Sequence, residues 1–303
     1  MTGKKIALIT SIPSENDFLP FHYELQKIAY EKYGYIIDLY RNGEFLCYWA
    51  KGVQKLLYHG KNFYAKQYDV AFIRLAIKAS HGGDHYIIRE FEENGVLTIN
   101  SSQSLLMARD KLHTLQKLAY ANLPITPTII VRTREQIENA LNIFNSSSYI
   151  IKNVFGSGGR CVLQAYTKAQ VYSVFDYIWQ QNRNEILMIQ PYLGTQPVAD
   201  VRALYFKKKF WRAMVRTAQK DEFRANVKLG ATTEATNLTL EEEEVCQKAV
   251  EQIGLDLAGV DFLRTPQGPF ILEINGCPGF SGIALAYAKQ GISLVDELAQ
   301  LLQ

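Results

Sequence analysis

Cysteine is scarce: Cys47, Cys161, Cys246 and Cys277 are the only four in 303 residues, they lie far apart, and no two form a C-x-x-C pair. That spacing disfavours both a disulfide framework and a structural zinc site, so reduced thiols are expected. Long apolar runs are also missing. Nowhere do eighteen apolar residues follow one another, which excludes a helix that spans a bilayer and any membrane partner built on one. The run 6–9 behind Lys4 and Lys5 is too short for a signal-peptide core and no small-residue cleavage site follows, so a cytoplasmic location is expected. Charge of one sign is absent as well. With 33 Lys and Arg against 30 Asp and Glu the net charge is +3, too small a bias for a protein whose main task is coating nucleic acid. A composition of 48% hydrophobic and 21% charged residues excludes intrinsic disorder. No repeat or low-complexity segment is evident.

What is present is length enough for about two domains at roughly 150 residues each. Residues 5–10, 35–39, 68–74 and 96–99 read as buried strands. The pattern predicts helices over 18–33, closed by Gly34, and over 85–94. Strands alternating with helices imply a parallel sheet. Ser101 and Ser102 cap a helix predicted to run to about residue 122, before Pro124 and Pro127 break it. Beyond it, strands at 128–132, 149–153 and 161–163 with helices over 133–144 and 168–182 make a compact α+β unit. From residue 188 onward antiparallel strands dominate, with helices over 240–252 and 294–302. Thr239 with Glu242 forms a capping box, so the acidic run 241–244 is a solvated first turn without a catalytic role.

The segment Ala258-Gly259-Val260-Asp261-Phe262-Leu263-Arg264, a Pro266-Gln267-Gly268 turn and Phe270-Ile271-Leu272-Glu273-Ile274-Asn275 predict a hairpin. A three-residue loop with Gly268 in the left-handed position sets Asp261 opposite Glu273, and Asn275 falls on the same face. Two carboxylates opposed across strands repel unless a cation lies between them. Hard oxygen ligands without His or Cys favour Mg²⁺, with Mn²⁺ a chemically close substitute, over zinc or a full calcium cage. The bland alternative is a solvent-facing pair neutralised by long side chains. A second element, Lys152-Asn153-Val154-Phe155-Gly156-Ser157-Gly158-Gly159-Arg160, joins a strand lysine to a glycine-rich loop whose backbone N–H groups can close around phosphate. It fits neither G-x-x-x-x-G-K-[ST] nor G-x-G-x-x-G, so those two nucleotide folds lose support. Together with the acidic hairpin it points to a nucleoside triphosphate site.

From about Arg109 to Gly291 the chain resembles the ATP-grasp superfamily and, within it, the RimK-type ligases. The match is most specific in Ala258-Gly259-Val260-Asp261, Leu272-Glu273-Ile274-Asn275-Gly276-Cys277-Pro278-Gly279 and Glu222-Phe223-Arg224-Ala225-Asn226. The resemblance implies an α/β (α+β) ATP-grasp fold: an N-terminal parallel-sheet pre-ATP-grasp domain over 1–108, a central subdomain over 109–190 and a C-terminal subdomain over 191–303, the last two clasping ATP. It makes Lys111, of the segment Arg109-Asp110-Lys111, and Lys152 the phosphate lysines, and Gly156, Ser157, Gly158 and Gly159 a lid over the nucleotide.

Gln190, Pro191, Tyr192 and Leu193 take the place of the adenine-binding hinge. Pro191 stands where the family has glutamate; it keeps its carbonyl acceptor, and the N–H of Leu193 is a donor in its stead. Asp200 is implied for the ribose, Arg202 for phosphate or the activated acyl group, with an ion pair to Asp200 as its bland alternative. Arg224 and Asn226 are implied at the triphosphate and the reacting carboxylate. Arg216 is a further candidate, and Lys207-Lys208-Lys209 reads as a hairpin tip in water. The activity implied is ATP- and Mg²⁺-dependent joining of an amino acid, glutamate by default, to a carboxylate of a small molecule, a peptide or a protein C-terminus through an acyl phosphate. A homodimer or homotetramer is compatible with it. The competing readings are a non-catalytic ATP-binding regulator and an ATP-grasp kinase.

Overall fold

The computed structural model describes residues 3–12, 16–75, 84–155, 162–194, 198–220 and 222–303. The chain opens with β1 (Lys5–Thr10), α1 (Pro20–Tyr33) and β2 (Ile36–Arg41). Pro20 starts the helix where its missing N–H costs nothing. Gly34 ends it at φ 69° with its N–H returned to the last turn, the left-handed stop that glycine supplies. A three-stranded antiparallel meander follows: β3 (Phe45–Ala50), β4 (Val53–Tyr58) and β5 (Lys61–Phe63). Then come β6 (Val70–Arg74), α2 (Asp84–Glu93) and β7 (Leu97–Ile99). Strands β2-β1-β6-β7 pair in that order, all parallel, as the sequence pattern predicts. The meander is an addition to that expectation. Its signals are two-residue turns: Lys51-Gly52 between paired Ala50 and Val53, and His59-Gly60 between paired Tyr58 and Lys61. His59 at φ 49° and Gly60 at φ 74° are the left-handed pair that a tight hairpin needs.

The single helix expected over 101–122 is two: α3 (Ser102–Arg109) and α4 (Lys111–Tyr120). Asp110 divides them, because in extended geometry its carboxylate accepts from the N–H groups of Leu112 and His113 and caps the second helix. Lys111 therefore stands at the first position of α4.

Next come β8 (Ile129–Val131), α5 (Arg134–Phe144), β9 (Tyr149–Asn153), β10 (Val162–Ala165), α6 (Lys168–Gln181) and β11 (Leu187–Pro191). Their four strands form an antiparallel sheet in the order β10-β9-β11-β8, covered by α5 and α6 over a core that includes Val131, Ile137, Phe175 and Ile189. The last sheet is built from β12 (Ala199–Phe206), β13 (Lys209–Thr217), β14 (Thr232–Thr236), β15 (Leu257–Thr265) and β16 (Gly268–Asn275), in the order β14-β13-β12-β15-β16. Between β14 and β15 runs α7 (Leu240–Ile253), and α8 (Ser281–Ala288) and α9 (Leu294–Leu302) close the chain. The Thr239–Glu242 capping box starts α7, as expected, whereas α8 is an addition to the expected elements.

Alternation along β12 sorts its side chains. Ala203 and Tyr205 pack under α7, whereas Leu204 and Phe206 join α8, α9 and the N-terminal β1, β2 and α1 in one continuous core. The first and last thirds of the sequence thus share an interior. Buried Asn100 ties them further: its amide donates to the carbonyls of Leu257 and Gly276, each at 2.7 Å, and accepts from the N–H groups of Asp256 and Leu257, each at 2.7 Å.

Candidate functional site

The hairpin of β15 and β16 places its acidic residues by a route different from the one expected. Near the turn Thr265 pairs with Gly268, so the loop has two residues, Pro266 and Gln267, not three. A bulge between Asp261 and Phe262 then adds one residue on β16, and beyond it Asp261 faces Glu273 and Gly259 faces Asn275. The two offsets cancel, so the expected carboxylate pair forms. The Asn275 amide donates to Glu273 at 3.1 Å and lies 3.5 Å from Asp261 Oδ2, which brings the three head groups together at one edge of the sheet.

Cross-strand neighbours decide the electrostatics. Arg202 lies directly opposite Asp261, and Asp200 opposite Arg216. Arg202 forms a two-pronged pair with Asp261 at 2.7 and 2.6 Å, and Arg216 does the same with Asp200 at 2.6 and 2.7 Å while reaching Asp261 Oδ2 at 3.0 Å. Arg202 is thus not the partner of Asp200; Arg216 is. Burial opposes the charge of Asp261, but the two guanidiniums outweigh it and hold the carboxyl below its ordinary range. Asp200 goes the other way, because burial and the neighbouring Asp261 charge raise it against the pull of Arg216 and Arg202. Two anions and two cations balance inside this quartet, and Arg216, which the sequence marked only as a further candidate, is its centre.

Lys111 and Lys152 converge on Glu273 from α4 and β9. Burial lowers both ammonium groups, Lys152 to about 8, while the Glu273 charge supports them. All three border one open cleft. Its far end is the hinge: Gln190, Pro191, Tyr192 and Leu193 line it beside apolar Ile150, Val162 and Leu272. Buried Gln190 donates to Thr128 at 2.7 Å and the Tyr192 N–H to the Ser148 carbonyl at 3.0 Å, whereas the Leu193 N–H has no acceptor among the described residues. Asp200, Arg216, Arg224 and Asn226 also reach the wall, Arg224 held by Glu222 at 2.8 Å. Arg202 and Asn275 are set back from it, Arg202 against Asp261 and Asn275 in an adjoining recess that Arg109 shares. Gly156, Ser157, Gly158 and Gly159 lie outside the described residues, as does Arg160.

The match to known proteins fits this geometry. Residues 108–302 match the model of the RimK-like ATP-grasp domain. The chain belongs to the RimK-like ATP-grasp family. A probable alpha-L-glutamate ligase of Coxiella burnetii is 31% identical over 254 residues, 84% of this chain and 83% of that one. A probable alpha-L-glutamate ligase of Trichodesmium erythraeum is 30% identical over 306 residues, 99% of this chain and 96% of that one. Among solved structures, the ATP-grasp ligase PsnB complexed with minimal precursor, Mg and ADP shares the fold at a TM-score of 0.70 and 15% identity, over 98% of this chain and 96% of that one. This RimK-like protein is an enzyme of the ligase class.

The donor set of this ATP-grasp site suits a hard divalent cation. It offers two carboxylates and an amide whose Oδ1 accepts no hydrogen bond from the described residues, and among those residues no cluster of three His, Cys, Asp or Glu competes with it. Both carboxylates line the cleft, Asp261 paired with two arginines and Glu273 facing the two lysines. Cys277 is a free thiol next to this strand, and no helix among the described residues is long and apolar enough to cross a membrane.

Proposed function

We propose that the protein is a carboxylate–amine ligase that uses ATP and Mg²⁺ to join an amino acid, glutamate by preference, to a carboxylate of a peptide, a protein C-terminus or a small molecule. The observation that carries this reading is the convergence of Lys111, Lys152, Arg224 and Asn226 with Asp261 and Glu273 around one cleft, with Asn275 donating to Glu273 from the adjoining recess. An oxygen of the substrate carboxylate attacks the γ-phosphorus and ADP leaves. The amine nitrogen then attacks the acyl carbon, phosphate leaves, and the amine gives up a proton as the amide forms. Phosphorylation converts a poor leaving group into a good one.

In this reading Lys111, Lys152 and Arg224 neutralise the triphosphate, which otherwise repels an incoming carboxylate. The Pro191 carbonyl and Leu193 N–H read the adenine edge, and Asp200 meets the ribose. Asn226 donates to the oxyanion formed on amine attack. Asp261, Glu273 and Asn275 would hold the metal, which when bound supplies further neutralisation of phosphate charge. Arg202 acts through Asp261, fixing its carboxylate plane. The three-part division 1–108, 109–190 and 191–303 belongs to the same proposal, with the nucleotide between the last two parts. The glutamate ligase names of the two relatives, and the minimal precursor, Mg and ADP held by PsnB, support the substrates and cofactors assigned.

The test is release of ADP and phosphate with Mg²⁺ and ATP across single and paired amino acids and short peptides, with products weighed by mass spectrometry. The expected result is phosphate release that depends on one pair, with a product lighter than their sum by one water. Glu273→Gln is expected to reduce that turnover by about a hundredfold or more, as removal of one preorganised electrostatic group does, with the fold retained. ADP formation without phosphate would identify a kinase instead, and unchanged turnover in Glu273→Gln would remove the metal assignment.

A further inference from the structure

Among the described residues five buried side-chain atoms lack a hydrogen-bond partner, and four of them gather away from the nucleotide cleft: His22 Nδ1, Arg41 Nε, Asn42 Oδ1 and Arg74 Nη1. Arg41 is the last residue of β2, Asn42 follows it, Arg74 ends β6, and His22 lies in the first turn of α1 behind β1. All four therefore sit at the carboxyl-terminal edge of the parallel sheet. In the order β2-β1-β6-β7 the chain winds one way from β1 to β2 and the other way to β6, so the crevice between β1 and β6 is where such sheets hold ligands.

Aromatic rings link these groups into one wall. Arg41 lies over Phe18 at 4.3 Å, Phe18 and Phe21 flank His22 at 6.1 and 5.8 Å, Phe21 meets Phe280 at 5.4 Å, and Arg74 lies over Phe280 at 4.3 Å. The wall ends at the metal edge. Arg74 Nη2 donates to the Pro278 carbonyl at 2.7 Å. Pro278 follows Asn275 by three Cα steps, so their Cα atoms are at most about 11 Å apart.

Of the cations in this wall, Arg74 is the one without a carboxylate partner among the described residues, while the Asp84 carboxylate accepts from the Asn42 amide. Arg41 is offset by Glu44 at 3.6 Å, and burial together with the charge of Arg74 pushes His22 down to about 4, so its imidazole is neutral. Arg74 itself makes no ion pair among the described residues, although one of its donors is fully buried. A guanidinium N–H removed from water without an acceptor is costly, which is the expected signature of a site whose acceptor arrives with the ligand.

We propose that Arg74 anchors a non-reacting carboxylate of an amino-acid or peptide substrate in the crevice between β1 and β6, flanked by His22 and Arg41. The inference rests on the ligase reading above and deepens it. A carboxylate held here is not the one phosphorylated, because that group has to meet the triphosphate between Lys111 and Lys152. It is a spectator, either on the amino acid that supplies the amine or at the end of the acceptor, and it sets which substrates fit.

The test is equilibrium binding, so it does not depend on turnover. Wild type, Arg74→Met and Arg74→Lys, each with Mg²⁺ and ADP, are titrated calorimetrically with L-glutamate, the dipeptide Glu-Glu and the α-amide of each. The expected loss for Arg74→Met is between about tenfold and a hundredfold in affinity for the probe that binds, the range for a charged hydrogen bond, with Arg74→Lys intermediate. Amidating the anchored carboxylate should weaken binding to wild type equally and leave Arg74→Met unchanged. A response to the α-amide of glutamate assigns the carboxylate to the free amino acid, and a response confined to Glu-Glu assigns it to a peptide end.

The affinity for Mg·ADP should stay within about twofold. Equal affinities in wild type and Arg74→Met, or a parallel loss of ADP binding, would overturn the proposal, as would a wild type that holds Mg·ADP and none of the probes. Should Arg74→Met not fold, the amidated probes on wild type still decide it. Arg74-dependent binding with no phosphate release from any pair would sink the ligase reading alone.

Discussion

At the residue scale, the site is a set of charges whose protonation is governed by burial. Lys152 ionises near 8 in the folded chain, against 10.5 when unfolded, because burial removes water from its ammonium group. Above the lower value the free enzyme loses the charge that the proposed function assigns to phosphate. Affinity for Mg·ATP is therefore expected to fall as pH rises from about 7 to about 9, and Lys152→Arg, which stays charged, should flatten the profile. Nucleotide titrations at several pH values check this. Stability runs in the opposite direction, since between about 8 and 10.5 the unfolded chain binds more protons at this position. The contribution of Lys152 therefore favours the folded state increasingly as pH climbs through that window. Lys111 and Lys152 were both legible as residues in their motifs. The Arg202–Asp261 and Arg216–Asp200 pairs were not, because they depend on which strands lie side by side in the sheet.

At the scale of elements, the β15–β16 hairpin and the turn after it hold the site's acidic edge. A side chain at Gly259 would bring its Cβ to 2.8 Å from Pro278, which crosses over β15 at this point and whose carbonyl receives Arg74. Gly259→Val should displace that turn and lower stability by about 1–3 kcal/mol, the range for overpacking a filled interior. Urea unfolding midpoints check it, and an unshifted midpoint would show that the turn moves aside freely. The hairpin also shows how a pairing can be foreseen for an incomplete reason. Alternation set the faces of Asp261 and Glu273, while a two-residue loop and a bulge, which alternation does not specify, together fixed their register. The split of one expected helix into α3 and α4 has a local cause that was present in the sequence, the capping carboxylate of Asp110.

At the scale of the whole molecule, the N-terminal sheet shares its core with the C-terminal helices, and Asn100 fastens the two. Asn100→Ala would leave two N–H and two C=O groups without partners in a buried seam, for an expected loss of about 2–4 kcal/mol. Denaturant unfolding followed by tryptophan fluorescence measures it, Trp49 reporting on the meander and Trp211 on the shared core. A loss below about 0.5 kcal/mol would show that apolar packing alone holds the seam.

The sequence by itself determined the strand and helix periods, the caps, the family motifs and the chemical types at the nucleotide cleft, because each is encoded within a few neighbouring residues. Tertiary structure alone decided the salt-bridge partners, the core joining residues far apart in the chain, and the gathering of His22, Arg41 and Arg74 at one sheet edge. Those depend on strand order, and strand order is set by burying all the apolar faces at once, a condition that no local segment contains.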